Sequence, residues 1–251
     1  MSKATETTAL TTALSNLPAP AGAPEGASDG DTIINRWRIA QKMNRFDGTP
    51  GKWCSRMTGA EVDSLVITPL LYTKSRVLFE KDQFDKPPLC KSNDSVYPDI
   101  NVEEPYSKQC GQYNGRAFEA MCDEAAWGKD DNGRTVKPRC ALGYNLIALT
   151  PEGPAMLAFS GTGIKPIKGL ITHSRSNGVL LPTPYALFNV SCTLGINVVN
   201  GAKGTYYVPT FTEYTMHTEA EVVALAQQYL GFASYDMGAH FEAEAAADSE
   251  A

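Results

Sequence analysis

A chain of 251 residues, 43% hydrophobic and 20% charged, has enough apolar side chains for a buried core and too little charge for an extended polyelectrolyte. Nowhere do about 18 apolar residues run together, which argues against a membrane-crossing helix and against a membrane partner. The net charge of −6 is unevenly spread: residues 32–216 hold 21 basic and 17 acidic side chains, and residues 217–251 hold seven acids without a Lys or Arg. A mildly basic body therefore ends in an acidic segment.

Residues 1–31 (MSKATETTALTTALSNLPAPAGAPEGASDGD) are rich in Thr, Ala, Pro and Gly and read as a flexible arm. They lack the apolar h-region of a secretory signal, so a cytoplasmic chain is expected, in which disulfides are rare. DTIINRWRIAQKMNRF (Asp31 to Phe46) places apolar side chains at Ile33, Ile34, Trp37, Ile39 and Met43. With Asp31 as N-cap, this spacing predicts a short helix. VDSLVITPLLY (62–72) and SRVLFEK (75–81) read as two strands, with Pro69 confining the middle of the first to an edge or a bulge.

From Asp82 to Arg139 the apolar periodicity disappears. A structureless loop of that length inside a folded domain would be exceptional, so something other than greasy packing has to order it. Beyond it, YNLIALT (144–150) and AMLAFS (155–160) form a hairpin across PEGP, and GTGIKPIKGLITHSRS (161–176) reads as a helix started near Thr162, with Pro166 in its first turn. YALFNVSCTLGINVV (185–199) and GTYYVPTFTEYTM (204–216) flank an Asn200-Gly201 turn, a second hairpin. TEAEVVALAQQYLGF carries Thr218 followed by Glu221, a capping box for a helix over 217–232, and residues 233–251 read as a disordered acidic tail. The predicted fold is mainly β (α+β): an OB-like, partly open barrel over 32–216, interrupted by a cysteine-rich insertion at 82–142.

That insertion holds four of the six cysteines, Cys90, Cys110, Cys122 and Cys140, separated by 19, 11 and 17 residues. No C-x-x-C pair is present, and the spacing leaves three readings open: a metal clamp, a disulfide loop, or unconnected buried thiols. Metal ligation has a physical motive here, since it supplies folding free energy where burial cannot. Cys54 and Cys192 lie outside the insertion and read as small buried hydrophobes.

LCKSNDSVYP (89–98), Cys110 and Cys122, Trp127-Gly128, KPRC (137–140) leading into a strand, the GTGIKPIKGL helix and the late TYYVPTFT strand resemble, in that order, a bacteriophage family of single-stranded-DNA-binding or replication-accessory proteins. The resemblance spans about residues 62–215. It departs from the family in the wider separation of the middle cysteines and in Asn93-Asp94-Ser95, which stands where the family has an Asp-Gly turn. It implies a structural Zn²⁺ on Cys90, Cys110, Cys122 and Cys140, a host-cell cytoplasmic location, and a protein that coats and protects single-stranded DNA during replication or recombination.

Such a protein needs cations along the phosphates and aromatic faces for the bases. The expected contacts are Lys74, Arg76 and Lys81 on one strand, Trp127, Lys137 and Arg139 in the insertion, and Tyr144, Tyr206 and Tyr207 on later strands. Phe79, Phe159 and Phe211 read as core. The acidic tail is expected to compete with DNA for the basic surface or to recruit replication or recombination proteins. No HExxH, GxSxG or GxxxxGK[ST] sequence occurs, and Glu119, Asp123 and Glu124 read as a solvated face, so no enzyme is expected. The alternative is a structural or regulatory phage protein, a capsid accessory or recombination directionality factor, without affinity for single strands.

Overall fold

The structure, a computed structural model, describes residues 34–41, 48–80, 87–99, 106, 108–114, 117–177, 187–201 and 204–229. The arm over 1–31, Lys81 and the tail over 233–251 lie outside the described residues. The chain is mainly β and forms two units. The first takes the described residues up to Tyr72 and from Leu146 onward; the second takes Thr73–Asn145. The second unit thus begins nine residues before the insertion expected at 82–142.

In the first unit, the segment expected to be a helix contains strand β1 (Asn35–Ile39). The competing pattern is NRWRI: Asn35 and Trp37 are buried, while Arg36 and Arg38 are half-exposed. This alternation at period two satisfies a strand, and apolar residues at three- and four-residue spacing on either side mask it. Partners on both edges fix it. β1 runs parallel to β11 (Gly153–Ser160) and antiparallel to β2 (Trp53–Ser55), with Trp37 opposite Leu157 on one side and Ser55 on the other.

The sheet continues through β3 (Glu61–Val62), β4 (Leu65–Leu78), β10 (Ala141–Thr150), β12 (Val190–Gly201) and β13 (Gly204–Met216) in the order β13-β12-β4-β10-β11-β1-β2-β3. The two strands expected over 62–72 and 75–81 are the single β4, which with β10 has residues in both units. Pro69 sits just beyond the β12 ladder, which covers only Leu65–Ile67, so no sheet hydrogen bond to β12 is lost to its missing donor.

Both predicted hairpins are present. β10 and β11 are sheet neighbours across Pro151-Glu152, and β12 pairs antiparallel with β13 from Val190–Met216 to Gly201–Gly204. Helix α1 (Ile164–Asn177) buries Ile167, Leu170, Ile171 and Ser174 along one side, and a 3-10 turn at Gly161–Gly163, which includes Thr162, leads into it. Helix α2 (Glu219–Tyr229) carries the expected capping box, in which Glu221 Oε2 accepts from the Thr218 amide at 2.7 Å. The core of this unit is aliphatic: Ile67, Leu70, Leu146, Leu157, Ile167, Leu170, Leu187 and Leu194 are wholly enclosed.

The second unit has little regular structure. It contains β5 (Cys90–Ser92), which pairs with the last residues of β4, a hairpin of β6 (Gly111–Asn114) and β7 (Ala117–Ala120), a 3-10 turn at Asp123–Ala125, and a short hairpin of β8 (Gly128–Lys129) and β9 (Thr135–Val136). No helix among the described residues is long and apolar enough to cross a membrane.

Candidate metal centre and nucleic-acid interface

Backbone hydrogen bonds bring the four distant cysteines of the second unit together. The end of β4 pairs with β5 so that Leu78 faces Cys90 and Arg76 faces Ser92. Alternation along β5 turns Cys90 and Ser92 inward and Lys91 outward. The chain then folds back on Asp94, whose Oδ1 accepts from the amides of Val96 (2.7 Å) and Tyr97 (2.8 Å), an Asx turn in place of the expected Asp-Gly. Val96 next accepts from the Cys110 amide at 2.8 Å, and the Cys110 carbonyl accepts from the amides of Met121 (3.1 Å) and Cys122 (3.3 Å). The 3-10 turn after Cys122 offers the Glu124 carbonyl to the Cys140 amide at 2.8 Å. Cys110 is thus bonded directly to Cys122 through the main chain, and Cys140 to the turn that follows Cys122.

Gly111 makes the middle link possible. A Cβ there would sit 2.4 Å from the Glu119 carbonyl oxygen and 2.4 Å from Phe118, so a side chain would push the β6–β7 hairpin off Cys110.

Cys90, Cys110 and Cys140 are buried, Cys122 is half-buried, and all six cysteines are free thiols, so the Cys122–Cys140 disulfide reading is not realised. Cys90 and Cys140 pack in one small core with Leu78 and Ala125, against Cys122, Phe118, Tyr106 and Leu89. Cys140 feels the other three sulfurs electrostatically, Cys90 feels those of Cys110 and Cys122, and the Cys90 and Cys110 thiols are within hydrogen-bonding reach of each other. Burial pushes the Cys90 thiol up to about 11, with the sulfurs of Cys110 and Cys122 adding to it. Burial likewise pushes Cys140 up to about 12, reinforced by Cys110 and Cys90 and opposed by Arg76. Cys110 is raised by burial, against a hydrogen bond from Ser92 and the charge of Arg76. At neutral pH these are protonated thiols. Among the described residues no group of three His, Cys, Asp or Glu side chains already has its donor atoms set for a metal ion. The cluster is a set of neighbouring thiols.

Around the cluster, a two-residue register holds an exposed aromatic knob. Gly128 pairs with Val136 and Lys129 with Thr135, so Trp127 and Lys137 each lie one residue outside the Gly128–Val136 pair on facing strands. Trp127 is 71% exposed, and Lys129, Lys137 and Arg139 are exposed beside it in the sequence. The root of this hairpin runs directly into Cys140, and Arg139 is tied back to Glu124 by a 2.8 Å ion pair. Asp130 and Asp131 occupy the tip, where the Asp130 carboxylate caps the turn by accepting from the amides of Asn132 and Arg134.

The remaining expected contact residues divide. Arg76, expected to face phosphates, is 5% exposed and belongs to the thiol core, because Ser75 and Arg76 of β4 are both buried and interrupt the in–out alternation there. Tyr144, expected to stack bases, is buried where β10 enters the hydrophobic sheet. Lys74 is half-buried with its amine 4.1 Å from the Tyr113 ring centroid. In the first unit Tyr206 and Tyr207 are half-buried on β13, opposite Val199 and Val198. Tyr207 is pinned by two backbone bonds to the Gln41 amide (2.8 and 2.9 Å) and lies against Gly51, where a Cβ would approach its ring to 2.8 Å. Of the carboxylates, Glu119 is exposed and bonded to Gln112, while Glu124 is engaged by Arg139. Phe159 and Phe211 are core, as expected, with ring centroids 5.8 Å apart.

Sequence reasoning missed the hairpins inside the insertion. Asn114-Gly115 and Asn132-Gly133 announce both, the second with Gly133 at φ +74°. It also missed Ser92 and Phe118 as neighbours of the cysteines, which no spacing reveals.

No protein-family model matches the chain, and no curated protein and no solved structure shows significant similarity to it.

Proposed function

We propose that this protein binds single-stranded DNA without sequence preference and accompanies it during replication or recombination, with an OB-like body and a second unit stapled by a structural Zn²⁺. The observation that carries this reading is the pairing of an exposed Trp127 and its neighbouring cations with a hairpin root that runs into a cluster of four thiols. Bases stack on an exposed indole whatever their identity, and nearby Lys and Arg gain by releasing counterions from phosphates.

Four adjacent sulfurs suit the metal chemically. Cys90, Cys110, Cys122 and Cys140 would hold it, losing their protons as the sulfurs rotate inward. The metal supplies charge neutralisation and folding free energy, and no catalytic step. Fixing Cys122 and Cys140 fixes both ends of the segment that presents Trp127. Tyr206 and Tyr207 offer further ring edges on the first unit. The same knob suits a protein-docking role, in keeping with a structural or regulatory phage protein, because Arg139 is already neutralised by Glu124 and the hairpin tip is acidic.

Fluorescence anisotropy with labelled single-stranded DNA, duplex DNA and RNA at two salt concentrations separates the two. Salt-dependent binding to the single strand is expected, and Trp127→Ala should weaken it by about 1–3 kcal/mol, roughly 5- to 150-fold. Negligible binding to all three nucleic acids would remove the DNA reading and leave the docking one.

A further inference from the structure

Arg76 is the most unusual side chain of the second unit. It is 5% exposed, yet among the described residues no carboxylate pairs with it. Its Nη1 donates to the Cys140 carbonyl at 3.2 Å, its guanidinium lies 4.2 Å from the Phe118 ring centroid, and its Nε has no partner. A guanidinium stays charged at any pH a protein survives. A carbonyl and a ring face satisfy part of its hydrogen-bonding capacity and leave its net charge uncompensated in a buried place, which is costly.

What surrounds that charge is sulfur. Arg76 faces Ser92 across the β4–β5 pair, two residues from Cys90, and bonds the main chain of Cys140. Its charge reaches the sulfurs of both Cys110 and Cys140. Four neutral thiols do not compensate a cation, whereas four thiolates around one divalent ion carry two net negative charges. On the zinc reading, the uncompensated cation and the net negative charge of a metal–thiolate centre offset each other.

We infer that Arg76 is the built-in counter-charge of the metal–thiolate centre: a positioning residue that touches the ligands' own main chain and makes the fold at this point tolerable only when the sulfurs are ionised and metal-bound. The inference rests on the zinc reading of Cys90, Cys110, Cys122 and Cys140. It adds that metal occupancy and the burial of Arg76 are coupled, so the same side chain strengthens the loaded state and weakens the empty one.

Opposite signs in the two states are the test, using the purified full chain loaded with zinc or stripped by a chelator. Metal affinity is read by competition with a chromophoric chelator, and order in the second unit by hydrogen exchange. Arg76→Met is expected to lower zinc affinity by about 10- to 100-fold, the usual effect of losing an outer-sphere partner. It should also raise amide protection of the second unit in stripped protein, because a buried unpaired charge is gone. Arg76→Lys, which keeps the charge, should bind zinc far more tightly than Arg76→Met.

If the wild-type chain takes up no zinc, the metal reading itself fails and takes this inference with it. If the wild type holds one zinc and Arg76→Met holds it as tightly, the metal reading stands and the counter-charge role is overturned. Equal loss of protection in loaded and stripped Arg76→Met marks an ordinary structural arginine and overturns it too. Should Arg76→Met fail to fold in both states, Arg76→Lys decides: tight zinc binding by the lysine variant supports a charge requirement, and a lysine variant as damaged as the methionine one overturns it.

Discussion

The two units of this chain solve the same problem with different materials. In the first, strands and a helix enclose Ile67, Leu146, Leu157, Leu170 and Leu194, each wholly removed from water. Each such side chain contributes about 1.5–3 kcal/mol on burial, and the sum can offset the entropy of ordering the backbone. In the second, the buried cluster consists of Leu78, Ala125, Cys90 and Cys140, with the Arg76 cation beside it. Leu89, Tyr106 and Phe118 pack against this cluster but stay partly exposed, so the enclosed apolar volume is small. A segment of about seventy residues with so thin an interior belongs to the class that needs a staple. A packed sheet holds itself together, whereas a turn-rich unit gains from covalent or coordinate help, and among the described residues the clustered thiols are the groups that suit it.

On the zinc reading, the largest effect should come from withdrawing the metal. Structural zinc sites in small domains bind with about 10–16 kcal/mol of apparent free energy at pH 7, and where no preformed site exists that energy is folding energy. Chelation is therefore expected to abolish amide protection across β5 to β9 while leaving β11, β12 and α1 protected. Hydrogen exchange with and without chelator measures both units in one experiment. Equal protection of the second unit in the stripped protein would break the comparison, since its small core would then suffice.

A smaller effect, of a different sign along the pH axis, follows from the raised thiols of the stripped protein. Burial holds Cys90 near 11 and Cys140 near 12, and raises Cys110, against the ordinary thiol value of 9. A raised pKa means that the folded state keeps its protons where the unfolded state has lost them. The associated stability is fully present below pH 9 and declines as pH rises toward 12. Cys192, held near 12 by burial in β12, makes the same contribution in the first unit, joined by the half-buried Cys54, which burial also raises. Stripped protein should thus lose its second unit at a lower alkaline pH than its first, whereas metal-loaded protein, whose thiols are already ionised, should show no such thiol-linked decline. Circular dichroism and hydrogen exchange across that range report the difference, and identical alkaline profiles for the two units would contradict it.

What the sequence made legible follows the same division. Wherever local chemistry decides, the expectation and the structure agree: the β10–β11 and β12–β13 hairpins, Pro166 near the start of α1, and Thr218 with Glu221 at α2. β1 was misread because the flanking Ile34 and Ala40, both buried, extend an apolar spacing that suits a helix, and only pairing with β2 and β11 settles the matter. β4 reads as two strands because Thr73 and Lys74 interrupt its apolar run, whereas the strand continues through them. In the second unit the polar composition hides the small core around Leu78, Cys90, Ala125 and Cys140, and the adjacency of Cys90, Cys110, Cys122 and Cys140 depends on long-range backbone bonds that no periodicity encodes. The interior positions of Arg76 and Tyr144 were illegible for a related reason: a strand that alternates cleanly on paper changes its faces where a different partner covers it.

The smallest effect should come from α2, and it tests how far local rules carry the first unit. Thr218 Oγ1 and its amide both engage the Glu221 carboxylate (2.9 and 2.7 Å), and these bonds from Thr218 hold that carboxyl below its ordinary range. A depressed carboxyl stabilises the fold above its unfolded pKa and loses that contribution as pH falls through the lower folded value. Thr218→Ala should accordingly cost about 1 kcal/mol at neutral pH, the usual price of a lost cap, and Glu221→Gln should flatten the acid-side decline of α2 protection without unfolding the sheet. Among the described side chains of the helix, Val222 is fully buried on the turn that follows. If Thr218→Ala leaves α2 protection unchanged while Val222→Ala removes it, burial governs even this exposed helix end, and the first unit relies on packing more completely than its well-formed cap suggests.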